Sequence, residues 1–248
     1  MMYNSSIDIL PPEPQPHSEL NDDGLPSAKL LPNAMLADGK IVNVLIACEY
    51  SGRVREAFKA KGCNAWSCDI LPTEIPGQHI QGDVLELIKS NPNFFDVMIG
   101  FPPCTYLSSA GLYLCNIETH GEKAIQRILN RNKAIEFFLS LYSAPIKYIC
   151  LENPLGHISA NILKPTQIIH PYYFGERQMK RTALWLKNLP PLQHSAENNL
   201  FDVRTHTDKP EPEQIQIRKA TGKIKRRYFT DCITNNKLKS GHEKSKLF

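Results

Sequence analysis

The sequence predicts an α/β domain built on a mostly parallel sheet with helices on both faces. Three observations lead there. From residue 41 onward, short apolar runs rich in β-branched residues alternate with amphipathic segments. The runs are apolar throughout rather than at every second position. Polar clusters recur just past their carboxyl ends. A strand that is apolar on both sides is buried on both faces, the state of a parallel sheet covered by helices. Ligands of such sheets bind beyond the carboxyl ends of the strands.

Taken in order, residues 41–48 read as the first strand and Glu49-Tyr50-Ser51-Gly52 as a turn. Residues 53–61 read as a helix with Val54, Ala57 and Phe58 on one face, capped by Ser51 and ended by Gly62. Asn64 to Asp69 is a second strand, broken off by Ile70-Leu71-Pro72. A third strand ends at Gly82-Asp83-Val84, and Val84 to Ser90 is helical. Residues 95–100 form a fourth strand running into Phe101-Pro102-Pro103-Cys104. Residues 120–142 make a longer amphipathic helix, and residues 147–151 a fifth strand leading into Glu152-Asn153-Pro154. Polar residues therefore gather at one edge of the sheet in five places, more than packing explains.

The flanks differ in character. Residues 1–39 carry Pro11, Pro12, Pro14, Pro16, Pro26 and Pro32 among acidic and small polar residues, and read as a disordered or extended arm. Residues 40–192 hold the alternating pattern and are the expected catalytic domain. Residues 193–248 are a short basic segment: between 204 and 246, twelve Lys or Arg face five acids, a balance that suits a phosphate-rich partner. The basic, aromatic-bearing stretch Lys223 to Phe229 is its expected contact with a nucleic-acid backbone.

No apolar run approaches the roughly 18 residues of a membrane span, and no signal peptide is visible, so no membrane partner is expected. The seven cysteines are irregularly spaced with no C-x-x-C pair. That argues against a disulfide scaffold and a structural zinc, and for a reducing, cytoplasmic setting. Cys48, Cys63, Cys68 and Cys150 read as small buried residues.

The first strand, its turn and the helix after it form a nucleotide-binding type of unit, with Asp69 about 20 residues on, where an acid accepts hydrogen bonds from ribose hydroxyls. Gly52 is the turn's one glycine. The missing G-x-G-x-x-G disfavours NAD, and the missing G-x-x-x-x-G-K-[ST] disfavours ATP hydrolysis. A ribose acid without a pyrophosphate loop suits S-adenosylmethionine, which has no phosphates. The expected cofactor residues are Glu49, Tyr50, Ser51 and Gly52 in the turn, Asp69 and Ile70 after the second strand, Asp83 and Val84 at the adenine edge, and Pro102. The two prolines before Cys104 fix the direction of a thiol at the ligand-binding edge, the setting of a nucleophile. Glu152 is a candidate acid or hydrogen-bond anchor for a base.

The order of glycine turn, strand-end acid, Gly-Asp-Val, Pro-Pro-Cys and Glu-Asn-Pro resembles the DNA (cytosine-5) methyltransferases, most closely the short phage- and prophage-type members. The likeness covers residues 41 to about 192 and implies a Rossmann-like methyltransferase fold, S-adenosylmethionine as cofactor and double-stranded DNA with its target base flipped out as substrate. It also implies that Cys104 attacks C6 of cytosine and that Glu152 contacts N3 and the exocyclic amine. Two departures stand out. Ala47-Cys48-Glu49-Tyr50-Ser51-Gly52 replaces the family's Phe-x-Gly-x-Gly turn, and Gln-x-Arg-x-Arg survives loosely in Arg177-Gln178-Met179-Lys180-Arg181-Thr182. Arg181, or Lys180, is then the expected support for the cytosine carbonyl or a phosphate.

Other readings stay open from sequence. An amino-methyltransferase acting on adenine N6 or cytosine N4 wants a polar residue before the Pro-Pro turn, where Phe101 stands, and an aromatic after it, where Cys104 stands. A degenerate methyltransferase fold that only binds nucleic acid or a partner is a second alternative, and an RNA or free-nucleotide acceptor a third.

Overall fold

The computed structural model describes residues 39–176, 178–193, 209–212, 214–217 and 224–227. Residues 1–38 of the expected N-terminal arm, Arg177, and Lys223, Tyr228 and Phe229 of the basic stretch lie outside the described residues.

Strand β1 (Asn43–Ala47) is buried from Val44 to Ala47, with Leu45 and Ala47 in one hydrophobic cluster and Val44 and Ile46 in another. Its side chains alternate between the two faces of the sheet, so both faces are covered. The strand stops where Cys48 takes a positive φ of 58°. Helix α1 (Arg53–Lys59) follows, and Val54 and Phe58 pack on the Val44–Ile46 side. Ala57, expected on the same face, is exposed, and the buried residue of the helix is Arg55. Strands β2 (Asn64–Asp69) and β3 (His79–Gln81), helix α2 (Val84–Ser90) and strand β4 (Val97–Gly100) come next.

The single long helix expected over residues 120–142 is two helices, α3 (Ile117–His120) and α4 (Glu122–Tyr142). Gly121 separates them with φ 51° and ψ −132°, outside helical space. Strand β5 (Tyr148–Pro154) runs three residues further than expected, through Glu152-Asn153-Pro154. Its extension has a partner: β7 (Thr182–Lys187) pairs antiparallel with it, Leu184 opposite Glu152, Ala183 opposite Asn153 and Thr182 opposite Pro154. Strand β6 (Gln167–Ile169) pairs with the far side of β7.

The seven strands run in the order β3-β2-β1-β4-β5-β7-β6. Strands β1 to β5 pair in parallel, and β7 is antiparallel to both its neighbours. This is the mostly parallel α/β sheet the sequence predicts, compatible with a Rossmann-like fold. On one face Leu45, Met98, Ile149, Leu151, Phe138 and Trp185 are buried together, with the Phe138 and Trp185 rings edge to face at 5.0 Å. Strands β8 (Gln214–Ile217) and β9 (Ile224–Arg227) form a separate antiparallel hairpin. No helix among the described residues is long and apolar enough to cross a membrane.

Candidate active site at the carboxyl edge

From β1 the chain moves outward one way through β2 and β3, and from β4 the other way through β5. The reversal falls between the adjacent strands β1 and β4, and a crevice opens beyond their carboxyl ends at such a point. The turn after β1 and the Pro-Pro-Cys turn after β4 are neighbours there, joined where Phe101 N–H donates to the Ala47 carbonyl at 3.0 Å. Gly100 ends β4 opposite Ala47. A Cβ there would sit 2.6 Å from Leu151 Cδ2, so the Leu151 side chain fills the space that glycine leaves.

The cysteine turn is tied to the turn after β5. Asn153, 1% exposed, donates its Nδ2 to the Pro102 carbonyl at 2.7 Å. Ser108 bridges Gly156, and His157 N–H donates to the Leu107 carbonyl at 2.7 Å. The Cys104 carbonyl accepts from Leu107 and Ser108 N–H, both at 3.0 Å, closing the turn. Helix α4 holds the next stretch: Arg127 donates to the carbonyls of Gly111 (3.1 Å) and Thr105 (3.0 Å), and lies over the Tyr106 ring.

Pro102 is buried and Cys104 exposed, unlike the other described cysteines. Cys68 is buried, and Cys48, Cys63 and Cys150 are half-buried. Burial pushes Cys48, Cys68 and Cys150 up to about 12, so none of them ionises near neutrality. The Cys104 thiol is also held above its ordinary value, first by partial desolvation and then by the Glu152 charge. Its own backbone N–H and Lys180 pull the other way.

Glu152 is half-buried, and desolvation raises its carboxyl, again against Lys180. One cation thus acts on both members of the pair. Arg181, the expected cation, is exposed, and its charge reaches His170 instead. Both cations directly precede β7, whose Leu184 and Thr182 lie opposite Glu152 and Pro154, so that strand carries them to the carboxyl edge.

At the edge where the sequence predicts a cofactor, Glu49 is 6% exposed. Its Oε1 accepts from Ser51 Oγ and from Val54 N–H at 3.4 Å, while Oε2 is buried with no hydrogen-bond partner. The N-cap of α1 is Gly52, in the left-handed region at φ 76°, rather than Ser51, whose Oγ takes Arg53 N–H at 3.3 Å. The half-buried Tyr50 accepts Glu74 N–H at its carbonyl, which draws the loop after β2 towards the turn. Asp69 Oδ1 accepts Leu71 N–H at 2.9 Å, and Ile70 beside it is 75% exposed. Asp83 is the N-cap of α2, accepting Leu85 N–H at 2.7 Å, and Val84 is buried.

Three contributors escaped the sequence reading of the site or held no role in it: Arg55, Arg127 and Asn153. Asn153 had a signal, its place between Glu152 and a proline; Arg55 and Arg127 are ordinary helix arginines by spacing. A shallow groove of about 570 Å³ lies at the opposite, amino-terminal edge, lined by Lys40, Asn43, Lys59 and Asn64 among others, and includes none of the site residues. Compared with known proteins, the chain matches no family model and no curated sequence.

Proposed function

We propose that this chain is an S-adenosylmethionine-dependent methyltransferase that methylates C5 of cytosine in DNA through a covalent adduct on Cys104. The observation that carries the reading is the fastening of the two motifs to each other. The Asn153 amide grips the Pro102 carbonyl, which keeps an exposed thiol beside a half-buried carboxyl at the crevice between β1 and β4. The antiparallel strand beside β5 is compatible with the sheet that the methyltransferase resemblance implies.

The residues at the cofactor edge fit S-adenosylmethionine. Glu49 Oε2 is a buried carboxylate oxygen in want of a donor, and an α-ammonium group supplies one. Asp69 commits Oδ1 to the backbone, and its second oxygen suits ribose hydroxyls. Ile70 presents apolar surface for an adenine ring. When bound, S-adenosylmethionine supplies a methyl group activated by a sulfonium.

Chemistry on the base falls to the chain's own groups. C5 of a pyrimidine is a poor nucleophile until C6 is attacked, and Cys104 Sγ makes that bond. The C5–C6 π pair moves to C5, which takes the methyl. Loss of the C5 proton then restores the double bond and expels the Cys104 thiolate. Glu152, biased by burial towards its protonated form, can donate to N3 while its other oxygen accepts from the exocyclic amine. The Lys180 charge favours the thiolate needed for attack. A duplex must release the base for both faces to be reached.

Product analysis tests this. DNA incubated with the protein and methyl-labelled S-adenosylmethionine, then digested to nucleosides, is expected to carry label in 5-methylcytosine, and none with Cys104→Ser. Label in N4-methylcytosine or N6-methyladenine, or no transfer at all, overturns the assignment.

A further inference from the structure

Arg55 is fully buried on a helix that has no other buried residue. An isolated buried cation is costly, and it persists only where its donors are satisfied. Here the guanidinium reaches out of α1 into the segment that follows β2. Nη2 donates to the Ile75 carbonyl at 2.6 Å and to Pro76 at 3.4 Å. Nη1 donates to Thr73 Oγ1 at 3.3 Å and to Ser67 Oγ, on β2, at 2.9 Å. Nε pairs with Glu56 at 2.9 Å.

The chain of bonds continues. Ser67 Oγ lies 2.9 Å from His79 Nδ1, and His79 Nε2 lies 3.0 Å from the Leu71 carbonyl. A carbonyl can only accept, so Nε2 carries a proton; in the neutral ring Nδ1 then accepts from the serine hydroxyl, which itself accepts from Arg55. One relay therefore runs from α1 through β2 and β3 to the backbone two residues past Asp69.

Glycine is needed on both sides of it. A Cβ at Gly52 or at Gly77 would stand 2.8 Å from Arg55 Nη2. The space beside Gly52 belongs to this side chain, which accounts for a glycine there without a glycine-rich cofactor loop.

Resting on the methyltransferase reading, we infer that Arg55 is a positioning residue that presets residues 69–77 as the nucleoside-binding wall of the cofactor site. Asp69 and Ile70 begin the segment it anchors. The relay and the Tyr50–Glu74 backbone bond hold that segment against the turn after β1. The cofactor then meets a formed wall instead of ordering a loop, and none of the ordering cost is taken from its affinity.

The test compares wild type with Arg55→Met, and with Thr73→Val, which alters the loop end of the clamp and leaves α1 and the sheet untouched. Calorimetry measures S-adenosylmethionine and adenosine; hydrogen exchange follows residues 69–78; iodoacetamide reports on Cys104. Arg55→Met is expected to bind both ligands at least about tenfold more weakly, with faster exchange in 69–78 and unchanged alkylation of Cys104. Thr73→Val is expected to shift binding and exchange the same way by less. Wild-type affinity in both variants overturns the proposal alone. Alkylation of Cys104 changing in step with binding also overturns it, since the effect is then general to the fold. A wild type that binds neither ligand overturns the methyltransferase reading and this proposal with it.

Discussion

Cys104 is chemically different from its fellow cysteines by position, not by an unusually acidic thiol. Desolvation and the Glu152 carboxylate keep it protonated at rest, and Lys180 is the side chain among the described residues that opposes them. A protonated thiol is spared stray alkylation, and in the proposed reaction neutralising Glu152 against the base would relieve part of the restraint. The sign follows directly. Removing Glu152's charge lowers the thiol's pKa and enlarges the thiolate fraction at neutral pH; removing Lys180's charge does the reverse. Iodoacetamide labelling of the Cys104 peptide, read by mass spectrometry across pH, is expected to shift to lower pH in Glu152→Gln and to higher pH in Lys180→Gln. The rate at fixed neutral pH changes on the order of tenfold for each pKa unit. Identical profiles in all three proteins contradict the electrostatic account of the pair.

Between the residue and the whole sheet, the unit that matters is the pair of loops after β4 and β5. Gly156 packs so closely on the other loop that a Cβ would lie 2.0 Å from the Leu107 carbonyl. Gly156→Ala must part the loops, and Asn153→Ala strands a buried Pro102 carbonyl. Each is expected to cost about 1–3 kcal/mol in urea denaturation, and to weaken Cys104 chemistry although neither side chain touches the sulfur. Stability and reactivity both at wild-type level in Asn153→Ala would sink the idea that this amide fastens the site. Much of this unit was legible in sequence: an apolar run ending in Pro-Pro-Cys and another ending in Glu-Asn-Pro announce strand ends. The pairing was not. Whether Glu152-Asn153-Pro154 turns or extends depends on β7, some thirty residues away. For the same reason the sequence leaves Arg181 and Lys180 as alternatives, and the structure puts the Lys180 charge on Cys104 and Glu152. Helix α1 misled in another way, because an arginine at a core position reads as a surface residue until its acceptors in the loop are known.

At the scale of the molecule, the alternation of buried strands and helices was enough to predict a parallel sheet, since that pattern depends on local burial alone. Strand order depends on which hydrophobic faces meet, so the reversal between β1 and β4 and the insertion of β7 had to come from the structure. The order matters because it brings a cofactor-type edge and a thiol-bearing turn, about fifty residues apart in sequence, to one crevice. The basic excess between residues 204 and 246 complements a polyanion such as the proposed DNA substrate. The central claim is that Cys104 bonds to C6 of cytosine in that crevice. DNA carrying 5-fluorocytosine tests it most directly, because fluorine cannot leave C5 as the proton does and the adduct is trapped after methyl transfer. With S-adenosylmethionine present, the wild-type protein is predicted to give a DNA complex that survives a denaturing gel and disappears in Cys104→Ser. A wild-type protein that binds both DNA and cofactor yet yields no such complex would contradict it.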